Sequence, residues 1–293
     1  MHVFITGGTG LIGSAVVAEL IAHGHTVTAL ARSESSATKA RAAGAEPLTG
    51  GLTDLEALRA GATQADGVIH LAFSNDFSSP EALQAGIEEE TAALSTLGET
   101  LIGSDKPLVT CSGTPYVPGR PSTEEDDIPL EGPVAGRGRA VNAVLALSSR
   151  GVRSSAVRLP RTVHNEGKGG FAGLLTELSR NAGVVRYPGD GSQRWPAVHA
   201  RDAASLFRLA LEKAPAGTAW HAVDDEGDSV ADMAAVVARR LGLGTESVPA
   251  EAFGPLGQIW ALDQPASSAI TRERLGWTPT HPKLLADLEN IQR

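Results

Sequence analysis

The stretch TGGTGLIG, residues 6–13, leads from a short apolar run, HVFIT, straight into a helical pattern, LIGSAVVAELIAHG. Its glycines, Gly7, Gly10 and Gly13, are spaced G-x-x-G-x-x-G between a strand and a helix. That context gives each glycine a physical reason: a tight turn, close approach of backbone to a pyrophosphate, and close packing of helix on sheet. The unpaired N–H groups of the helix start would face the anion, which assigns dinucleotide contacts to Gly7, Thr9, Gly10, Leu11, Ile12 and Gly13. A purely structural glycine turn is the competing reading.

Downstream, short apolar runs (TVTALA, GVIHLAF, PLVTCS, SSAVRL) alternate with helical patterns, among them EEETAALSTLGETLIG and AVNAVLALSSRG. Buried-type strands alternating with helices imply an α/β fold, a doubly wound parallel Rossmann sheet. Gly24, Gly44 and Gly151 stand where helices should end. We expect a dinucleotide-binding domain over 1–161 and a smaller C-terminal α/β substrate lobe over 162–293, with segments around 196–224 returning to the Rossmann core. The acidic stretch GRPSTEEDDIPLEGP reads as a solvated loop.

Composition narrows the partners. With 25 basic and 34 acidic residues the net charge is −9, and no Lys/Arg-rich run exists, so nucleic acid is not an expected partner. A single cysteine, Cys111, excludes an intrachain disulfide and fits a reducing, cytoplasmic setting. No apolar stretch approaches membrane-span length. Short His and acidic spacings reveal no metal site. A small-molecule substrate is the expected partner.

The end of the second strand, TVTALARS, bears on cofactor choice. An acidic residue there would bind the ribose 2′-OH of NAD; instead Arg32 and Ser33 offer a fixed cation and a hydroxyl suited to the 2′-phosphate of NADP(H).

With LTGGLTD, VIHLA, VTCSGTPYV, AVRLP, WPAVHARDAA and LGWTP standing beside TGGTGLIG, the chain resembles the short-chain dehydrogenase/reductase superfamily, in its extended, epimerase/dehydratase-like branch, over nearly its whole length. The resemblance implies adenine contacts around Leu52, Leu71 and Ala72, because Gly51 stands where relatives carry an aspartate. It places Pro160 against nicotinamide and Ser112, with Thr114 as a second hydroxyl, against the substrate oxygen. Relatives also use a Tyr-x-x-x-Lys pair on the following helix; here the best alignment puts Val134 and Gly138 at those positions. Relatives often form a homodimer through the helices after strands four and five, and the apolar positions of IEEETAALSTLGETLIG fit either that or ordinary core packing, so the oligomeric state stays open.

Without that pair, a carbonyl substrate needs its proton from elsewhere. Tyr116, which makes a formal Y-x-x-x-R with Arg120, together with His164 and His199, are the candidates beside water, whereas His70 inside VIHLA reads as a core histidine. Arg137 and Arg139 could hold a positive charge near the site or lie on a wet helix face. Gln193, Arg194 and Trp195 in GDGSQRW offer a donor, a cation and an aromatic wall to the substrate pocket, and Asp202 is expected to cap a helix. The functional expectation is an NADP(H)-dependent reductase of carbonyl, imine or enone groups. The alternatives are a non-catalytic NADP-binding sensor or regulator, and an epimerase or dehydratase with retained NAD(P).

Overall fold

The computed structural model describes residues 1–76, 78–132 and 134–292, with the backbone only at Pro255 and Leu256. The first half builds β1 (His2–Thr6), α1 (Leu11–Ala22), β2 (Thr26–Ala31), α2 (Glu34–Ala42), β3 (Glu46–Thr49), α3 (Leu55–Gln64), β4 (Gly67–His70), α4 (Pro80–Leu101), β5 (Pro107–Gly113), α5 (Ala135–Ala146) and β6 (Arg153–Leu159). There follow β7 (Thr162–His164), α6 (Gly170–Ala182), β8 (Val185–Pro188), β9 (Arg194–His199), α7 (Ala200–Lys213), β10 (Thr218–His221), β11 (Asp225–Ser229), α8 (Val230–Leu241) and β12 (Thr245–Val248). Three short helices finish the chain: α9 (Gly257–Trp260), α10 (Ala269–Leu275) and α11 (Leu284–Leu288).

The main sheet has seven strands in the order β10-β6-β5-β4-β1-β2-β3, every pair parallel. All four residues of β4 and the last four of β1 are buried, as expected for central strands covered on both faces. On one face Val16, Val17 and Leu20 of α1 pack with Leu206, Phe207 and Ala210 of α7. On the other, Leu58 of α3, Leu94 and Leu97 of α4 and Val144 of α5 meet Phe4 and Val68. Thus the apolar positions of α4, including Ile87, Leu94, Leu97 and Leu101, are buried within the chain itself.

Helix ends follow local chemistry. Gly24, Gly44 and Gly151 take left-handed φ values of 81°, 85° and 75° and close the elements before them. Ser79 caps α4 by accepting the Ala82 N–H, with Pro80 in the first turn.

The remaining strands form a three-stranded sheet, β11-β9-β7, and a β12-β8 pair, around a separate core containing Trp195, Met233, Val237 and Trp260. Between these pieces, α7 and β10 run back to the large sheet, where β10 forms its edge. Among the described residues no helix is long and apolar enough to cross a membrane.

The acidic stretch is not simply solvated. Glu124 is buried and accepts both the N–H and the hydroxyl of Thr271, while Arg158 of β6 donates to the carbonyls of Glu124 and Asp126. Asp126 takes two bonds from Arg120, which hold its carboxyl well below the usual carboxylate range. The charges fasten this segment to the C-terminal region, a use that charge density alone does not reveal.

Candidate active site

Strand order reverses between β1 and β4, so their C-terminal ends leave the crevice in which doubly wound sheets bind ligands. The glycine turn fills that edge with little room to spare. Gly7, at φ 73°, abuts the chain after β4: a Cβ there would lie 2.7 Å from the Ala72 nitrogen and 2.8 Å from the Leu71 carbonyl carbon. A Cβ on Gly13 would lie 2.0 Å from the Gly7 oxygen. The Gly10 N–H donates to that same oxygen, and Gly10 starts α1 with no side-chain cap. The first amides of α1 are therefore left for an anion, and the cradle fits a dinucleotide pyrophosphate.

Beyond β2, Arg32 and Ser33 are both exposed. The Ser33 hydroxyl, however, accepts the Ser36 N–H, and the Ser33 N–H donates to Ser36 Oγ, a capping box that starts α2. Its first duty is to the helix, so Arg32 is the stronger candidate for a 2′-phosphate. Leu52 lies partly buried just before α3, whose N-cap is Asp54.

At the other end of the crevice, the Ser112 and Thr114 hydroxyls are buried without a hydrogen-bond partner among the described residues. Buried hydroxyls are usually satisfied, so this orphaned pair, one at the end of β5 and one just beyond it, is a candidate place for a ligand oxygen. The neighbouring segment is rigidly held: the Thr114 N–H donates to the Leu159 carbonyl, and Pro160 is buried just beyond β6.

Arg137 of α5 projects toward the same strand ends. It forms a two-bond pair with the buried Glu90, at 2.7 and 2.8 Å, and stacks over the Phe73 ring at 4.0 Å. Burial works against its charge, but the Glu90 bonds hold its pKa above the usual value. Its field reaches Cys111, whose thiol burial pushes up to about 11 although Arg137 pulls the other way. Arg139 instead faces solvent and donates to the Leu130 carbonyl. Val134 is exposed, and a Cβ at Gly138 would press on Ile128 and Pro129, both 3.0–3.1 Å away, so the 128–130 segment fills the space above it.

His70 is a core histidine: wholly buried, Nδ1 paired with Thr6 Oγ1 at 2.9 Å, its pKa lowered to about 4 by burial. His164 and His199 are brought together, opposite each other on β7 and β9 with rings 5.4 Å apart. They belong to a buried polar network, however. His164 Nδ1 pairs with Asp287, while His199 Nδ1 accepts the Arg201 N–H and its ring stacks on His281 at 4.8 Å. The geometry favours a structural role for both over proton delivery.

Asp202 does not cap α7, since His199 holds that position; its carboxylate accepts the Thr280 and His281 N–H groups and the His281 ring, fastening the LGWTP region. Ligand-type atoms of His199, Asp202 and His281 lie within 4.8 Å of one another, a convergence of distant segments that short spacings could not reveal. The Asp202 oxygens and His281 Nδ1 already serve the hydrogen bonds just described.

The GDGSQRW turn is also largely scaffold. Gln193 is buried and donates to the Pro188 and Trp260 carbonyls, Arg194 is locked to Asp263, and Trp195 is fully buried against Phe171 and Trp260. An apolar cavity of about 330 Å³ lies in the lobe, lined by Leu174, Leu178, Val248, Phe253 and Trp260. Tyr116, three residues beyond β5, is exposed.

A doubly wound sheet, a glycine cradle at its switch point and orphaned hydroxyls at the end of β5 define an extended short-chain dehydrogenase/reductase fold. A family model described as NAD dependent epimerase/dehydratase family matches residues 3–222, and the chain belongs to that family. An uncharacterized protein of Schizosaccharomyces pombe is 42% identical over 294 residues, 98% of each chain. A 3-diazoavenalumate denitrifying reductase of a Streptomyces species is 28% identical over 302 residues, covering 96% of this chain and 97% of its own. Among solved structures, UDP-glucose 4-epimerase of Thermotoga maritima, with UDP-glucose, superposes at a TM-score of 0.81 and 20% identity, over 99% of this chain and 97% of that one. Enzymes that use a nicotinamide cofactor make up this family.

Proposed function

We propose that this chain is an NADP(H)-dependent oxidoreductase that reduces a carbonyl, or an imine or enone, on a small organic molecule. One observation carries the reading: the unpartnered Ser112 and Thr114 hydroxyls at the end of β5, next to strand ends that feel the Arg137 charge. The reductase name of the Streptomyces relative supports it.

The amides opening α1 and the close-packed Gly7, Gly10 and Gly13 would hold the pyrophosphate, Arg32 the 2′-phosphate, and the backbone at Pro160 the nicotinamide edge. When bound, nicotinamide supplies a hydride to the carbonyl carbon. Ser112 Oγ donates a hydrogen bond to the carbonyl oxygen and fixes its direction, with Thr114 Oγ1 as a second donor. As negative charge grows on that oxygen, the hydroxyls and the fixed Arg137 cation stabilise it without reorganising. The oxygen then takes a proton from solvent water entering past Tyr116, so one hydride and one proton convert C=O to CH–OH.

The reading is tested by mixing the protein with NADPH or NADH and a panel of ketones, enones and imines while following cofactor oxidation. We expect consumption of NADPH, dependent on Ser112, with NADPH preferred and the preference reversed in Arg32→Asp. Tight NADPH binding with no turnover on any substrate would favour a sensor or regulator instead.

A further inference from the structure

Several half-buried cations among the described residues have a carboxylate partner: Arg137 has Glu90, Arg194 has Asp263, Arg208 has Glu19 and Glu212, Arg272 has Asp224. Arg153 lies against the carbonyls that end α7, and Arg158, whose pKa burial lowers, has the nearby charges of Asp127, Glu124 and Asp126 opposing that shift. Arg161 has no such compensation. Placed between β6 and β7, one residue after Pro160, it donates only to neutral oxygens: Nε to Gln264 Oε1 at 2.9 Å and Nη1 to the Ile259 carbonyl at 2.8 Å. Among the described residues no carboxylate pairs with it and Nη2 makes no hydrogen bond. Burial alone drives its pKa down to about 10. A half-buried cation with no balancing charge and with donors left over is placed to receive a charge from outside.

Its hydrogen bonds tie it to the chain just beyond β5. The Gln264 carboxamide that orients it donates its Nε2 to the Thr114 carbonyl at 2.8 Å, so Arg161 Nε lies within roughly 8 Å of β5's end. The guanidinium stands over the Phe171 and Trp195 rings, 5.0 and 5.6 Å from their centroids. One flank is thus apolar and aromatic, and Gln264 ties the other side to the backbone at Thr114.

We propose that Arg161 is the anion receptor of the substrate site, and that the substrate is an oxo acid: its carbonyl oxygen on Ser112 and its carboxylate on Arg161, carried by an apolar or aromatic skeleton. The planar fork of a guanidinium matches a carboxylate in two parallel hydrogen bonds, and the water-poor setting strengthens each. This rests on the reductase reading for the identity of the carbonyl but not for the binding of the anion.

Phenylglyoxylate and its neutral methyl ester serve as the probes. Calorimetric titration into the protein, with and without NADP⁺, should show the acid bound at least about tenfold more tightly than the ester. That preference should vanish in R161Q and survive in part in R161K, which keeps the charge but loses the fork. Thermal melts of both variants check that the fold persists, and the Lys variant carries the test should the Gln variant not fold. Equal affinity for acid and ester, no binding of the acid, or a preference that persists in R161Q overturns the proposal. Following NADPH oxidation with the same two compounds separates the two readings. Arg161-dependent binding without turnover of any carbonyl compound removes the reductase and leaves the anion site, whereas turnover with no preference for the acid does the reverse.

Discussion

Gly13 shows what a single hydrogen atom in place of a side chain contributes. A methyl group at this position would sit 2.0 Å from the Gly7 oxygen, against backbone that cannot move without opening the cradle. Gly13→Ala should therefore fold yet lose at least about tenfold in NADPH affinity, read from the quenching or enhancement of nucleotide fluorescence on titration. Ser112→Ala belongs to the same scale: removing one preorganised donor should lower kcat by about 100-fold and change KM little. Tyr116→Phe should leave kcat within a few-fold if water is the proton source. The glycine turn is legible in the sequence because its geometry is local: three glycines between a strand and a helix carry it in a handful of neighbours, whereas Ser112 is pointed to by the family resemblance. Ser33 shows the limit, since its capping box with Ser36 competes with the ligand role that its position suggests.

Among elements, α4 and α5 are joined by a buried ion pair as well as by apolar contact. Replacing Glu90 with Leu strands the Arg137 guanidinium in a poorly solvated site and should destabilise the fold by about 3 kcal/mol, measured by urea unfolding. Replacing both with Leu and Met should recover most of that loss while reducing kcat, because the fixed charge at the strand ends is gone. Sequence patterns report which positions are buried but not which pairs meet: Glu90 and Arg137 are 47 residues apart, and Arg161 and Gln264 are 103 apart. For the same reason the acidic 120–131 stretch, whose Glu124 reaches Thr271, reads as a solvated run until the chain is folded. Helices and strands of the large sheet are legible from periodicity and glycine ends. The lobe, built of short strands and loops, offers little period to read.

At the scale of the whole molecule, buried histidines set the acid limit. Burial holds His70 and His221 neutral, each with a pKa of about 4 against 6.5 for an exposed imidazole. Between those values the unfolded chain binds more protons, so their contribution is full above pH 6.5 and is lost as pH falls toward 4. Asp228, raised to about 6 by burial, acts in the opposite sense between 3.8 and 6 and offsets part of the loss. The unfolding free energy should therefore be about 2–3 kcal/mol lower at pH 5 than at pH 7, and His70→Gln should remove a large part of that difference. The same global topology places the glycine cradle, the Ser112 hydroxyl and the Arg137 charge along one crevice. Its central task, in the function proposed above, is to move a hydride onto a carbonyl held by Ser112. A single-turnover experiment tests this most directly: stereospecifically deuterated NADPH, excess protein and a ketone or oxo acid, with product analysed for deuterium on the carbinol carbon. Deuterium should be transferred at a rate that falls about 100-fold in Ser112→Ala. Bound NADPH that transfers no deuterium to any carbonyl, or transfer at an unchanged rate in Ser112→Ala, would contradict it.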